Sequence, residues 1–450
     1  MKISRLLLQS AVIASLGGLL FGFDTAVISG TTEALERVYG LSKAGLGFTV
    51  ASALIGTIVG AIVAGPPADR YGRRQVLIVI AVLYFLSALG CSLAWDWYSF
   101  LFFRFLGGIG VGGASVVSPM YIAEISPARV RGRLVALTQF NVVFGILLAF
   151  FSNYLIAQSA SGDLAWRLML GVQALPAAAF FVLLFPIPDT PRWLVLKERL
   201  DEARAVLARL GTDGGSVDRE VEEIRASLDL EHHSLDEPFF SGRYRKPILL
   251  AAAIAAFNQL SGINALMYYA PDIFRMSGAA GDTALLQAIA VGGTNLVFTM
   301  LALLVIDRFG RRKLMLVGSV GYILSLGSTA WAFYRYGGQF TRGGGLVVLI
   351  SLLVFIASHA FGQGAVIWVF ISEIFPNRVR ARGQALGSFT HWVMAAAISW
   401  TFPVIATASG GHAFAFYAAM MALQLLWVLF VMPETKGVPL EEIQKTLGIA

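Results

Sequence analysis

Apolar residues run along this chain in about twelve blocks, each of roughly 20 residues, separated by short polar stretches. Six blocks precede Pro188, at 7–29, 44–65, 76–94, 98–121, 131–157 and 166–187. Six follow Lys246, at 248–275, 284–306, 313–334, 345–372, 381–406 and 412–432. The blocks are too long for strands, and alternation with period two is absent. Each predicts an α-helix long enough to cross the roughly 30 Å hydrocarbon core of a bilayer. The expected fold is an all-α multi-pass membrane protein, with its spans in two six-helix halves.

Residues 188–246 break this pattern. They hold 23 of the 61 Lys, Arg, Asp and Glu residues. "PRWLVLKERLDEARAVLARLG" and "VDREVEEIRASL" place apolar residues at helical spacing with charges between them. This predicts a linker of short amphipathic helices, either a solvated connector or a latch on one face of the membrane. The expected domains are 1–187, a six-helix bundle; 188–246, the linker; 247–434, a second bundle; and 435–450, a tail.

The basic loops "DRYGRR", "ARVRGR", "DRFGRRK" and "NRVRAR" all fall on one side, which the positive-inside rule makes cytoplasmic, together with both termini. They also repeat. "ADRYGRR" at 68–74 is answered by "IDRFGRR" at 306–312, and "AEISPARVRGR" at 123–133 by "SEIFPNRVRAR" at 372–382, with 7 of 11 positions identical. "PDTPRW" at 188–193 is echoed by "PETKG" at 433–437. Three pairs in one order point to a duplicated six-helix unit, and two such halves suit alternating access about a site at their interface.

Composition agrees. Of 450 residues, 57% are hydrophobic and 14% charged, against roughly a quarter charged in soluble proteins. The net charge of +7 follows from basic cytoplasmic loops, with no nucleic-acid partner implied. The single cysteine, Cys91, excludes an internal disulfide. The N-terminal apolar run continues past Ile28 without a small-residue cleavage site, so a first spanning helix is expected there, not a signal peptide. No metal-spaced His cluster, nucleophile elbow or phosphate loop in a suitable context is found. No enzyme, metal or cofactor is therefore expected. "GGIGVGG" at 107–113 contains G-x-G-x-x-G, but it lies inside an apolar span, so close helix packing explains it better than nucleotide binding.

The motif loops, together with "PDTPRWL", resemble those of the sugar porter family of the major facilitator superfamily, over nearly the whole chain. That family contains bacterial sugar–proton symporters and facilitative glucose transporters. The resemblance implies the major facilitator fold, a monosaccharide as substrate, a cell (inner) membrane location and function as a monomer in the lipid bilayer.

The candidate residues form three groups. Asp24 and Arg104 are expected to be the only formal charges deep in the spans. By helical rise both fall roughly 8–9 Å below the outer surface. A lone charge there costs about 2.5–3.5 kcal/mol or more, so the two are expected to pair. Proton-coupled relatives carry an Asp in "GFD" and an Arg on the fourth helix. The resemblance makes Asp24 the proton carrier with Arg104 as its partner; a static ion pair is the alternative.

The second group is polar. "FNQLSGINALMYYAP" at 257–271 puts Asn258, Gln259, Ser261 and Asn264 at membrane depth around Gly262. Such groups must face a partner or a cavity, and amides both donate and accept, as sugar hydroxyls require. Gln259 and Asn264 meet if the helix unwinds at Gly262. Interhelical hydrogen bonding is the other reading. The family has Gln-Gln-x-x-Gly-x-Asn here; this chain has Asn258 for the first Gln. By resemblance Gln139, Asn295 and Trp368 are further sugar contacts. His391 stands where relatives have Asn or Gln, beside Trp392, either as a neutral hydrogen-bond partner or as a titrating group. Trp368 and Trp392 also suit packing or interfacial anchoring. On the tenth helix, Gly362, Gln363, Gly364 and Ala365 replace a proline-containing motif, with the glycines expected to allow a bend.

The third group is a cytoplasmic gate: Asp69 and Arg73, Asp307 and Arg311, Glu124 with Arg131 and Arg133, and Glu373 with Arg380 and Arg382. Arg forks pair well with carboxylates. Plain topology accounts for the arginines but not for an acid in each cluster. Sugar–proton symport is thus the expected function. A facilitative uniporter is disfavoured by Asp24. A membrane sugar sensor is disfavoured because the chain stops soon after "PETKG".

Overall fold

The computed structural model describes residues 4–211, 216–232, 238–337, 339–376, 378–438 and 440–449. Among them there is no strand, and twelve helices are long and apolar enough to cross a membrane. They are α1 (Arg5–Gly30), α2 (Lys43–Val63), α3 (Arg73–Ser92), α4 (Trp97–Ile125), α5 (Ala128–Ser159), α6 (Gly162–Leu183), α7 (Gly242–Met276), α8 (Gly281–Ile306), α9 (Arg311–Tyr336), α10 (Arg342–Ile374), α11 (Arg380–Ala408) and α12 (Gly410–Phe430). A helix satisfies all its backbone groups internally, which is why these apolar runs take no other form. The ends lie within a few residues of those the hydropathy pattern predicts.

Contacts divide the chain into two compact units. The first comprises residues 1–24, 55–146 and 167–236; the second comprises 25–54, 147–166 and 237–450. The second unit thus includes the last turns of α1, the first half of α2 and the end of α5.

Within the first unit, glycines let helices touch backbone to backbone. A Cβ at Gly22 would overlap the Val142 carbonyl of α5, one at Gly145 the Leu19 carbonyl of α1, and one at Gly112 the Thr57 carbonyl of α2. The "GGIGVGG" stretch lies wholly inside α4, with no preceding strand, and its Gly107 and Gly112 sit against α3 and α2. It is a packing surface.

The linker folds as helices at Pro191–Leu196, Leu200–Leu210 and Val217–His232. Thr190 caps the first through its side chain, which accepts from the Trp193 N–H, and Pro191 supplies the preset N-terminal turn. Trp193, Leu194, Ala203, Val206, Leu207, Leu210 and Val221 all enter the apolar core of the first unit. The linker is therefore packed, not merely solvated. In the second unit, Ile443 and Leu447 of a last helix, Leu440–Leu447, join Phe239, Tyr244 and Phe375 in a core of their own.

Candidate functional site

Asp24 lies one turn before the 3₁₀ turn, Ile28–Gly30, that ends α1. Arg104 of α4 donates from Nη1 to Asp24 Oδ1 at 3.0 Å, with the two side chains only 2% and 4% exposed. The charges expected at one depth therefore meet. A further charge lies near the end of a span. Asp272, near the C-terminal end of α7, accepts from Thr32 Oγ1 at 2.7 Å and from Arg275 at 2.9 Å. Arg275 also lies 3.5 Å from Glu33.

The amide group of α7 is shaped by a break. Its two halves, Arg245–Leu260 and Ile263–Met276, are joined through Gly262 at φ +84°. A Cβ at Gly262 would fall 2.5 Å from the Tyr417 ring, so both conformation and space call for glycine. The break turns Asn264 back, and its Nδ2 donates to Gln259 Oε1 at 2.8 Å. Gln259 Nε2 donates to Asn258 Oδ1 at 2.9 Å and lies 3.2–3.3 Å from the ring nitrogens of His391 on α11. Two aromatic rings flank that imidazole. Trp368, 39% exposed, is 5.3 Å away between centroids, and Trp392 packs edge-on at 4.8 Å. Amides and an imidazole beside an accessible indole can hold a polyol's hydroxyls and its apolar face together.

Asn295 of α8 accepts from Thr299 of its own helix at 3.3 Å. Gln139, on α5 of the first unit, is exposed. No hydrogen bond links Asn295 to the α7 amides among the described residues.

The tenth helix, α10, is not regular α-helix throughout. Residues Ala360–Gly364 form a π turn. Gly362 packs on the Gly318 backbone of α9. Gln363, fully buried, donates to Gln424 of α12, which donates to Ser319 of α9 at 2.8 Å. One turn earlier, His359 Nδ1 meets the Tyr322 hydroxyl at 2.7 Å. The sequence gives no local sign of either pairing.

At the other end of the spans the duplicated motifs build the same cluster twice. In the first unit Arg73 pairs with Glu124 at 2.9 Å and with Asp69 at 3.0 Å, and Thr190 donates to Glu124 at 2.6 Å. In the second, Arg311 pairs with Glu373 at 2.8 Å, and Thr435 donates to Glu373 at 2.6 Å. The partners of Glu124 and Glu373 are thus Arg73 and Arg311, not the sequence-near arginines. Arg131 instead donates to the Ala123 and Ser126 carbonyls, and Arg382 stacks on Phe239. Arg133 and Arg380 make no ion pair among the described residues. The Asp307 side chain lies outside those described.

Each cluster holds a further carboxylate, Asp189 of "PDTPRW" and Glu434 of "PETKG", which no gate pattern in the sequence singles out. Asp189 accepts from the Arg73 N–H at 3.1 Å, and Glu434 from the Arg311 N–H at 2.9 Å, each at the start of a spanning helix. Gly72 (φ +99°) and Gly310 (φ +88°) make this possible, since a Cβ there would lie 2.3 Å from Asp189 and 2.7 Å from Glu434. Burial pushes the Asp189 carboxyl above its ordinary range, despite three backbone N–H bonds and the nearby Arg73. Burial also acts upward on Glu434, but the N–H groups of Lys436, Arg311, Arg312 and Thr435 hold it below the ordinary range.

Comparison with known proteins places these observations. The family described as sugar (and other) transporter matches residues 10–447. The D-xylose-proton symporter of Escherichia coli (strain K12) is 38% identical over 98% of this chain and 96% of its own length. The arabinose-proton symporter of Bacillus subtilis (strain 168) is 35% identical over 96% and 93%. Among solved structures, the inward open conformation of the xylose transporter XylE from E. coli superposes with a TM-score of 0.85 at 38% identity, covering 97% of this chain and 98% of that one.

Proposed function

The chain belongs to the sugar transporter family, and from that premise we propose that it carries a monosaccharide together with a proton by alternating access, with Asp24 as the proton carrier. It is a multi-pass membrane protein and a transporter, not an enzyme. The observation that carries the coupling is the Asp24–Arg104 pair, buried inside two apolar helices. An ion pair at that depth is tolerable only while both partners are charged. A proton on Asp24 removes the attraction and leaves Arg104 to find compensation, so protonation and rearrangement are coupled. Relatives named for proton symport of xylose and of arabinose support this reading.

For the sugar, we assign Gln259, Asn258, Asn264 and His391 as hydrogen-bonding groups, and Trp368 and Trp392 as aromatic walls. Gln139 and Asn295 join them by resemblance. The Arg73–Glu124 and Arg311–Glu373 clusters are assigned to the cytoplasmic gate, with Asp69, Arg131, Arg133, Asp307, Arg380 and Arg382 around them. Both termini then face the cytoplasm, and the working unit is a monomer. The test is uptake of labelled xylose, arabinose, glucose and galactose by proteoliposomes with and without an inward proton gradient. Gradient-dependent accumulation of at least one supports symport. Equilibration alone, for every sugar transported, overturns it.

A further inference from the structure

Next to the Asp24–Arg104 pair lies a hydroxyl with nothing to bond. Tyr84 of α3 is fully buried, and its Oη makes no hydrogen bond with any described residue. Such a group costs free energy unless another state of the protein uses it. Its position says which. On α4, a Cβ at Gly107 would lie 3.7 Å from Asp24 Oδ1 and 2.3 Å from Ser87 Oγ of α3. One turn along, a Cβ at Gly110 would lie 3.7 Å from the Tyr84 ring. Ser87 and Tyr84 are three residues apart on one face of α3, so that face borders the Asp24 carboxylate. Ser87 is already committed, donating to the Phe103 carbonyl at 2.8 Å.

We propose that Tyr84 is a positioning residue for the transported proton: its hydroxyl accepts a hydrogen bond from the Asp24 carboxyl once that group is protonated. While Asp24 is charged, Arg104 donates to it and Tyr84 stands unpartnered. When a proton arrives from solvent, the carboxyl becomes a donor, which Arg104 has no capacity to accept. Tyr84 offers the acceptor and keeps its own proton, so nothing is transferred to it. Arg104 from α4 and Cys91 from α3 are charged or titratable groups that also face this place. From α5 and α6, Asn141, Asn153 and Gln173 each donate to α1, and none of them titrates. Tyr84 thereby stabilises the proton-loaded carrier.

The inference rests on Asp24 as proton carrier. In proteoliposomes, sugar accumulation is measured against external pH for wild type, Tyr84→Phe, Tyr84→Leu, Ser87→Ala and Asp24→Asn. Both Tyr84 variants are expected to move the half-maximal pH to more acid values, by about half a unit to one unit. Ser87→Ala is expected to leave it in place. Tyr84→Phe, which keeps the ring and removes an unbonded hydroxyl, is expected to melt no lower than wild type. An unchanged or alkaline-shifted profile in folded Tyr84→Phe, or an equal shift in Ser87→Ala, overturns the inference. If Asp24→Asn abolishes accumulation in the same series, only the Tyr84 assignment has failed. If Asp24→Asn still accumulates sugar, the carrier assignment itself falls.

Discussion

Asn264 and Gln259 sit on opposite sides of a helix break, yet Asn264 Nδ2 donates to Gln259 Oε1 at 2.8 Å. An unbroken helix would set residues five apart on different faces. The left-handed Gly262 therefore both interrupts α7 and makes its amides converge. The same amides bond to one another and to His391, so they are oriented before any sugar arrives.

Gln259→Ala removes the central member of this chain. It is expected to weaken sugar binding by about 1–3 kcal/mol, because hydroxyls and neighbouring amides lose their partner together. Isothermal titration or equilibrium counterflow reads this directly. Affinity equal to wild type would take Gln259 out of the site.

Glu124→Gln keeps the acceptor for Thr190 but loses the charge that pairs with Arg73. The cluster also anchors the linker, since Thr190 caps the helix at Pro191–Leu196 and Trp193 Nε1 donates to the Asp69 carbonyl at 3.1 Å. Loosening of about 1–3 kcal/mol is expected, seen as faster tryptic cleavage at Arg192 and Lys197 and greater labelling from the cytoplasmic face. If neither changes, the clusters are topology signals only.

What the sequence disclosed depended on the range of each interaction. The spans were legible because hydropathy is summed over about 20 local residues. The Asp24–Arg104 pairing was legible because two isolated charges at one depth have little choice of partner. Arg131 and Arg133 are the arginines nearest Glu124 in sequence, but helix packing brings Arg73 to it instead. Asp272 escaped notice near a helix end, where a charge passes for interfacial; only Thr32 and Arg275 around it reveal its setting. The π turn at Ala360–Gly364 and the Tyr322–His359 bond leave no periodic trace at all.

Glu434 gives a pH prediction. Its carboxyl is held below the ordinary range, so its ionised form favours the folded state. That contribution is present above the unfolded value, about 4.3, and fades as pH falls through the lower folded one. Wild type is therefore expected to melt above Glu434→Gln near neutrality, with the gap closing as the pH drops below about 4. Asp189 is shifted the other way, so Asp189→Asn should lose less at neutral pH than its counterpart in the second cluster. Equal melting temperatures for wild type and Glu434→Gln at pH 7 would contradict this account of the N–H cradle.

Asp24→Asn tests the coupling itself. The substitution keeps shape and hydrogen bonding but removes the titrating oxygen. One proton moving down about 150 mV supplies roughly 3.5 kcal/mol. That supports accumulation on the order of a few hundredfold, at tenfold per 1.4 kcal/mol. The variant is expected to lose this accumulation entirely while still binding sugar, because the amides of α7 lie on other helices from Asp24. Arg104 loses its counter-charge at the same time, so folding is checked by gel filtration and binding before transport is compared. Accumulation that persists in a folded Asp24→Asn protein would make the pair a static tie between α1 and α4, and proton coupling would have to rest on another group.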